Sequence, residues 1–456
     1  MAKGLFGNNH SIDMTKGKTA SIIFKFGIPL MITNFLQQVY SMADGVILGR
    51  FSGIGALATL GTCNWPIWLQ ISILTNFAQA SSLMLGNRFG AGKTEEMKQT
   101  TGNIYLMAVC LYFLLMPIMI LAIRPMLVWQ NTPTEIMNDA VIYMQISYWG
   151  TLVLFMYNIF AGMLRAVGDS KTSLYAVCVA TIINVALDLW FVAGLGWGVA
   201  GAAIATVTAQ SVSAIICAIK VSRYEMFRLQ RRHFKLNRIL LSEYFSLSIP
   251  MLLQSFVIAS GGLFVQKHIN NYGSNFAAGM SASEKIFIMI ETSGIALSHS
   301  AAAFVSQNYG AKQFDRIRQG VRSAVIISLC FAVFSSTLLF LFGRQILALF
   351  VASDAIKFAW SSLCVTSIGL AIMFPMYVVR QSLQALGNTI IPLLAASVQL
   401  IARIAVTLVF PMFMGYKGLY FTTVVAWFTS LVLICAVFPL QLRKNIKDES
   451  FRRINI

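Results

Sequence analysis

The stretch Tyr40-Ser41-Met42-Ala43-Asp44-Gly45-Val46-Ile47-Leu48-Gly49-Arg50 carries one carboxylate near the end of a long apolar run that starts at about Ser21. Between Phe26 and the end of that run, Asp44 is the only charged side chain. A carboxylate inside a lipid bilayer is costly and usually has a function. Asp44 is therefore a candidate functional residue, provided that the rest of the chain is that of a membrane protein.

The composition excludes an ordinary soluble domain. The chain has 456 residues, of which 57% are hydrophobic and 11% are charged, and its mean hydropathy is +0.72. Soluble domains carry about 25% charged residues. The net charge of +18 comes from short polar breaks between apolar runs, which indicates membrane topology and no nucleic-acid partner. The seven cysteines lie inside apolar runs without a Cys-x-x-Cys pair, so neither disulfides nor a zinc site are indicated.

Apolar runs long enough to cross a membrane recur along the whole chain. A helix needs roughly 20 apolar residues to cross a hydrocarbon core of about 30 Å. Twelve runs meet this length: 21–49, 55–86, 101–123, 138–163, 172–195, 198–222, 242–270, 275–307, 321–342, 355–385, 390–413 and 418–441. The predicted fold class is an all-α integral membrane protein with twelve transmembrane helices.

The basic residues predict the orientation of these helices. If the N-terminus is cytoplasmic, most of the 34 Lys and Arg residues, Arg380 among them, fall in cytoplasmic segments. The outer segments then hold only Arg50, Arg124, Lys267, Arg344, Lys357 and Lys417. Lys285 and Arg403 remain inside apolar runs. Because cytoplasmic loops are enriched in Lys and Arg, both termini are predicted to be cytoplasmic.

The two halves of the chain repeat each other. Residues 88–93 align with 308–313, residues 165–169 with 384–388, and residues 26–29 with 247–250. Six helices per half place both copies in the same orientation, as in several secondary transporters. We therefore expect two six-helix lobes related by pseudo-two-fold symmetry. The predicted division is a cytoplasmic segment 1–20, a lobe 21–222, a basic linker 223–241, a second lobe 242–441 and a basic tail 442–456.

Four polar side chains of the first half are predicted to lie at similar depth. Asp44 and Asp188 lie about five and seven residues below the outer ends of their runs, and Thr206 about eight below the start of its run, which is within one helical turn. Asn184 shares a helix face with Asp188. Such oxygens suit a sodium ion or a proton shared by two carboxylates. The alternative is that these groups only hydrogen-bond helices together, which stays open chiefly for Asn184 and Thr206.

The corresponding part of the second half carries charges of both signs. Arg403 occupies the position that matches Asn184, and Glu284, Lys285 and Glu291 lie in the eighth run. One interpretation is a set of structural ion pairs, because charges inside membranes usually pair. The other is that a cation faces the substrate path and admits anionic or zwitterionic compounds.

Several motifs resemble those of the MATE (multidrug and toxic compound extrusion) transporters over essentially the whole chain. These motifs are Ile28-Pro29, Asp44 with the following Leu48–Gly53, Gly90-Ala91-Gly92, Arg165–Asp169, Asn184–Asp188 and Gly196–Ala203. The first-run Asp, the Asn-x-x-x-Asp and the lack of a carboxylate in residues 251–266 resemble the DinF-like branch. The resemblance implies a V-shaped two-lobe fold and export driven by a proton or sodium gradient. It places the cation site, with possible Na⁺ binding, at Asp44, Asn184, Asp188 and Thr206, and makes Tyr40 and Asn158 substrate-pocket candidates. Glu284 and Arg403 are further substrate-pocket candidates because of their charges inside apolar runs.

The predicted function is a secondary active multidrug antiporter and not an enzyme. It would export amphiphilic, mainly cationic organic compounds in exchange for H⁺ or Na⁺, with no cofactor besides that ion. We expect a monomer in contact with lipid in the cell (inner) membrane of a prokaryote. One alternative function is that of a flippase for lipid-linked precursors, which usually has more spans and a more cationic cleft. A second is that of a membrane-embedded enzyme, for which the sequence shows no catalytic motif. A third is that of a passive channel.

Overall fold

A computed structural model describes residues 12–348 and 353–454, and within these ranges the regular structure is helical, without a strand. The predicted all-α class is therefore confirmed for the described residues. Residues 1–11 of the predicted N-terminal segment and residues 455–456 of the predicted tail lie outside them.

The helices follow the same order in both halves of the chain. The first half contains α1 (Thr19–Phe51), α2 (Gly53–Gly90), α3 (Thr94–Trp129), α4 (Thr134–Trp149), α5 (Thr151–Ala166), α6 (Lys171–Asp188) and α7 (Gly198–Ser222). The second half contains α8 (Arg238–Asn270), α9 (Ser274–Gly310), α10 (Phe314–Leu347), α11 (Ser353–Ala385), α12 (Ile390–Met414) and α13 (Thr422–Ile454). Because α4 and α5 correspond to one predicted run, these helices make up the twelve expected spans.

Most of these helices are apolar enough to cross a membrane. Among the described residues, nine helical segments pass a test of length and hydropathy, and the bent pair α4–α5 makes a tenth. One of the nine, Ile390–Lys447, includes both α12 and most of α13. The helix α2 is not among them, and its sequence contains many Thr, Asn, Gln and Ser residues.

The fourth predicted run is broken by a bend of 44° between α4 and α5 at Gly150. A Cβ atom at Gly150 would lie 2.5 Å from a methyl group of Val207, so glycine permits the close approach of α7. The Gln70 amide of α2 donates hydrogen bonds to the Ser147 carbonyl (3.3 Å) and to the Thr151 hydroxyl. The bend thus has polar partners on a neighbouring helix, as an interrupted helix in a membrane requires.

The end of α6 also departs from regular geometry. A π-helical segment, Leu189–Gly194, follows directly after Asp188. Phe191 of this segment stacks on Trp190 at 5.2 Å and on Trp197 at 5.1 Å between ring centroids. Single π-helical turns are frequent at functional sites, which supports a functional role for Asp188 directly before this one.

The described chain forms two compact units. The first unit consists of Ile32–Phe245 together with residues 12–13, and the second of Met14–Met31 together with Ser246 onward. Each of the helices α1 and α8 therefore contributes to both units. In the second unit, the buried Met14 donates its backbone N–H to the Gln307 side chain (3.1 Å) and accepts a hydrogen bond from the Asn308 amide (3.0 Å).

Candidate functional site

Asp44 of α1 lies among the polar residues predicted to share its depth. The Thr206 hydroxyl of α7 donates a hydrogen bond to Asp44 Oδ2 at 3.3 Å. The Asp44 carboxylate also faces the side chains of Asp188 and Asn184 from α6. The structure thus brings together the four residues predicted for cation coupling, all within the first unit.

Asn184 and Asp188 are the most deeply placed members of this group. Their exposed fractions are 1% and 0%, and they lie on one face of the last turn of α6. Asp188 is the last α-helical residue before the π-helical segment. The change of helical pitch therefore occurs directly at the carboxylate.

Several polar atoms of this group have no hydrogen-bond partner among the described residues. These atoms are Asp44 Oδ1, both side-chain polar atoms of Asn184 and both carboxylate oxygens of Asp188. Buried polar groups are normally hydrogen-bonded, and two adjacent carboxylates cannot both stay ionised without a shared proton or a cation. Carboxylate, amide and hydroxyl oxygens also suit a hard cation. The oxygen atoms of this group therefore fit either H⁺ or Na⁺ as the coupling ion.

The two pocket candidates of the first unit have different environments. Tyr40 lies one helical turn before Asp44, close to its carboxylate and beside the Gln210 side chain. Asn158 donates its amide to the Leu154 carbonyl within α5 at 2.8 Å. The structure therefore places Tyr40 next to the four-residue group, whereas the hydrogen bond of Asn158 is local to its own helix.

Tyr143 of α4 is a neighbour of the site that the sequence analysis missed. Its hydroxyl lies close enough to Asp44, Asp188 and Tyr40 to interact with them electrostatically. The ring packs against two apolar clusters of the first unit. A tyrosine within an apolar run gives no sequence signal of its position, since most such residues only pack.

The second unit contains a cavity of about 200 Å³ that brings together charges of both signs. Its lining includes Glu284, Glu291, Tyr377, Arg380, Gln399 and Arg403. Lys285, the neighbour of Glu284, is not part of the lining and its side chain is exposed. The two second-half pocket candidates, Glu284 and Arg403, thus share one cavity.

Two of these charged groups already have partners inside the cavity wall. The Tyr377 hydroxyl donates a hydrogen bond to Glu291. Arg380 donates to the Gln399 side chain at 3.3 Å and lies 5.3 Å from the centre of the Tyr377 ring. Arg380, which the distribution of basic residues assigns to a cytoplasmic segment, is therefore a buried residue of α11. It is 4% exposed and lines the cavity, because α11 continues to Ala385 and neighbouring helices pack around it.

Comparisons with known proteins agree with this architecture. The profile of the MatE family matches residues 29–190 and 250–409. The probable multidrug resistance protein YoeA of Bacillus subtilis is 24% identical over 80% of this chain and 81% of its own. The probable multidrug resistance protein NorM of Thermotoga maritima is 24% identical over 85% and 84%.

Solved structures show the same fold. A crystal structure of MATE in complex with MaL6 superposes with a TM-score of 0.90 at 19% identity, covering 98% of this chain and 100% of that one. An outward-facing multidrug resistance MATE transporter of the MOP superfamily superposes equally well, over 98% and 99%. The predicted fold of twelve helices in two lobes is confirmed by this match. The DinF-like branch stays a prediction.

Proposed function

The chain belongs to the MatE family of multidrug efflux transporters, and on that basis we propose that it is a secondary active antiporter. It exports amphiphilic, mainly cationic organic compounds in exchange for H⁺ or Na⁺ by alternating access. Named relatives are multidrug resistance proteins, which supports the substrate class.

The observation that carries the proposal is the group of orphaned polar atoms on Asp44, Asn184 and Asp188. Uptake of a proton or a sodium ion there would neutralise two neighbouring carboxylates and complete their coordination. Loss of that ion would leave an acidic site able to attract an organic cation. Competition between the two for one site, with opposite access in the two states, produces exchange.

Transport in proteoliposomes tests this proposal. The purified protein is reconstituted and uptake of the cationic dye rhodamine 123 is followed under an imposed sodium gradient, a proton gradient or neither. Asp44→Asn removes one carboxylate with little change in shape, and we expect it to abolish gradient-driven uptake while the protein stays folded. Asp139→Asn, at an exposed position of α4, is the matched control and should transport like the wild type.

Full gradient-driven uptake by Asp44→Asn would contradict antiport through this site. Uptake by the wild type without any gradient would instead indicate a channel. Failure to move the dye combined with scrambling of a labelled lipid-linked precursor would favour the flippase. The remaining expectations (a monomer surrounded by lipid in a prokaryotic cell membrane, with both termini cytoplasmic) belong to the same proposal.

A further inference from the structure

We propose that the cavity of the second unit binds the carboxylate of zwitterionic substrates through Arg403, while Glu284 binds their cationic group. This inference rests on the proposed export function and adds to it a second class of substrate. The two side chains that would bind the ligand lie in α9 and α12, and the proposal does not involve the cation site of the first unit.

Two glycines of α8 leave room for the Arg403 side chain. A Cβ atom at Gly261 would lie 3.0 Å from Arg403 Cδ, and one at Gly262 would lie 3.8 Å from Nη1. The stem of Arg403 therefore runs along a strip of helix without side chains. A Cβ atom at Gly261 would require the Arg403 side chain to shift by a few tenths of an ångström.

Arg403 forms no hydrogen bond and no ion pair within 4.0 Å with any described residue, and its Nε atom is buried without a partner. A guanidinium inside a membrane protein is normally held by a carboxylate or a carbonyl. Arg380 and Glu291, the neighbouring charges, are engaged with Gln399 and Tyr377. Arg403 and Glu284 lie near enough to interact electrostatically, but neither forms a hydrogen bond with a described residue, so both can bind a ligand.

The chemistry of the cavity matches a molecule with both charges. A guanidinium binds a carboxylate through two parallel hydrogen bonds, whereas Glu284 accepts from an ammonium or iminium group. One guanidinium beside one carboxylate, neither of them hydrogen-bonded to a described residue, balances the two charges of a zwitterion but would leave the second charge of a phosphate unbalanced. The lining also includes Phe287 and Trp427, which suit an aromatic body.

The size of the cavity limits which part of a ligand it encloses. Its volume of about 200 Å³ is below the roughly 300–1,000 Å³ of pockets that enclose a whole drug-sized ligand. The cavity thus encloses the acid-bearing end of a dye-sized compound and not the whole molecule. Selectivity should then depend on whether that end carries a free acid.

Two dyes that differ by one methyl group test the proposal. Rhodamine 110 carries a free carboxyl group, and rhodamine 123 is its methyl ester. Binding of each to the purified protein is measured by fluorescence anisotropy, without any gradient, for the wild type and Arg403→Met. We expect the variant to weaken binding of the acid about tenfold and that of the ester by less than about twofold. Lys285→Met, one residue from Glu284 but outside the cavity lining, should change neither.

The melting temperature separates a binding role from a structural one. If the role of Arg403 is to bind a ligand, replacing a guanidinium that forms no hydrogen bond or ion pair with a described residue by methionine leaves the melting temperature of the free protein unchanged or raises it. A variant that melts lower or does not fold would show that Arg403 holds the fold together and would overturn the proposal. An unchanged ratio of acid to ester binding would overturn it as well.

The same measurements distinguish this proposal from the one on which it rests. Gradient-driven uptake of the ester by the wild type together with an unchanged binding ratio in Arg403→Met leaves the antiporter standing and removes the cavity proposal. A shifted binding ratio without gradient-driven uptake of either dye supports the cavity and contradicts the antiporter.

Discussion

At the scale of single residues, the Thr206 hydroxyl donates a hydrogen bond to the Asp44 carboxylate. Thr206→Val keeps the shape of the side chain and removes the donor. We expect this variant to lower gradient-driven uptake of rhodamine 123 about tenfold, because a hydrogen bond to a charged group contributes about 1.5–3 kcal/mol. Initial rates in proteoliposomes measure the effect. Thr206→Ser retains the hydroxyl and should stay near the wild-type rate, whereas a normal rate for Thr206→Val would remove Thr206 from the site.

The sequence located the four polar residues of the first unit because depth and helical spacing are properties of the chain itself. Asp44 and Asp188 were candidates because a carboxylate is costly to bury in a membrane. Asn184 was added because it lies one helical turn from Asp188. Arg380 and Tyr143 could not be placed in this way. Arg380 lies near the end of an apolar run, where a cytoplasmic cation looks the same in sequence, and only the packing of Gln399 and Tyr377 around it shows that it is buried.

At the scale of helices, the bend between α4 and α5 depends on the missing side chain of Gly150. Gly150→Ala would force its Cβ atom against Val207, and overpacking of this kind costs about 1–3 kcal/mol. We expect a lower melting temperature for Gly150→Ala in detergent and partial recovery in the double variant Gly150→Ala, Val207→Ala. The absence of recovery would mean that the backbone of the bend, and not contact with α7, requires glycine.

The basic linker between the halves is fastened to α3 by a buried histidine. The His233 ring accepts a hydrogen bond from the Gln230 N–H at Nδ1 (2.9 Å) and lies 2.8 Å from a Glu95 oxygen at Nε2. Acceptance at Nδ1 leaves Nε2 as the protonated nitrogen that donates to Glu95. A Cβ atom at Gly102 would lie 2.2 Å from the His233 carbonyl oxygen, so the linker rests directly on α3.

Removal of this histidine should release the linker from α3. We expect His233→Ala to lower the free energy of unfolding by about 1–3 kcal/mol, because it leaves a backbone N–H without its partner and opens a small void. Limited proteolysis between Tyr224 and Arg238, together with thermal melting, measures the release. Arg231→Ala, at an exposed position of the same turn, is the control. Equal resistance to protease in both variants would show that other contacts hold the linker.

Hydropathy predicted which segments are helices, but not where they end or break. The apolar runs form helices, the fourth of them as the bent pair α4 and α5, since a bilayer leaves the backbone no other hydrogen-bond partner. Several helices continue beyond their runs, as α9 does to Gly310, because polar turns outside the lipid can stay helical. The break at Gly150 and the π-helical segment after Asp188 lie within apolar sequence, where tertiary contacts such as that of Gln70 decide the geometry.

At the scale of the whole molecule, the two halves of the chain share one fold but differ in the polar residues at matching positions. Asn184, beside two carboxylates, corresponds to Arg403, which lines a cavity with Glu284. Helix order and turns recur because both copies must bury the same apolar faces. The polar positions are free of that constraint and have diverged. If both proposals hold, Asp44→Asn should abolish gradient-driven uptake without altering the acid-to-ester binding ratio. Arg403→Met should alter that binding ratio and retain gradient-driven uptake of the ester.

The distribution of basic residues also predicts how the whole chain lies in the membrane, and labelling of single cysteines can test it. In a variant whose native cysteines are replaced by alanine or serine, Asn131→Cys lies exposed between α3 and α4, and Arg228→Cys lies exposed in the linker. Because cytoplasmic segments collect Lys and Arg, an impermeant maleimide should label Asn131→Cys on intact cells and Arg228→Cys only after lysis. The opposite pattern would reverse the orientation and place the orphaned carboxylates in the cytoplasmic half of the membrane. In that case the linker, with its run of arginines, would have been translocated against the charge bias that governs every other loop.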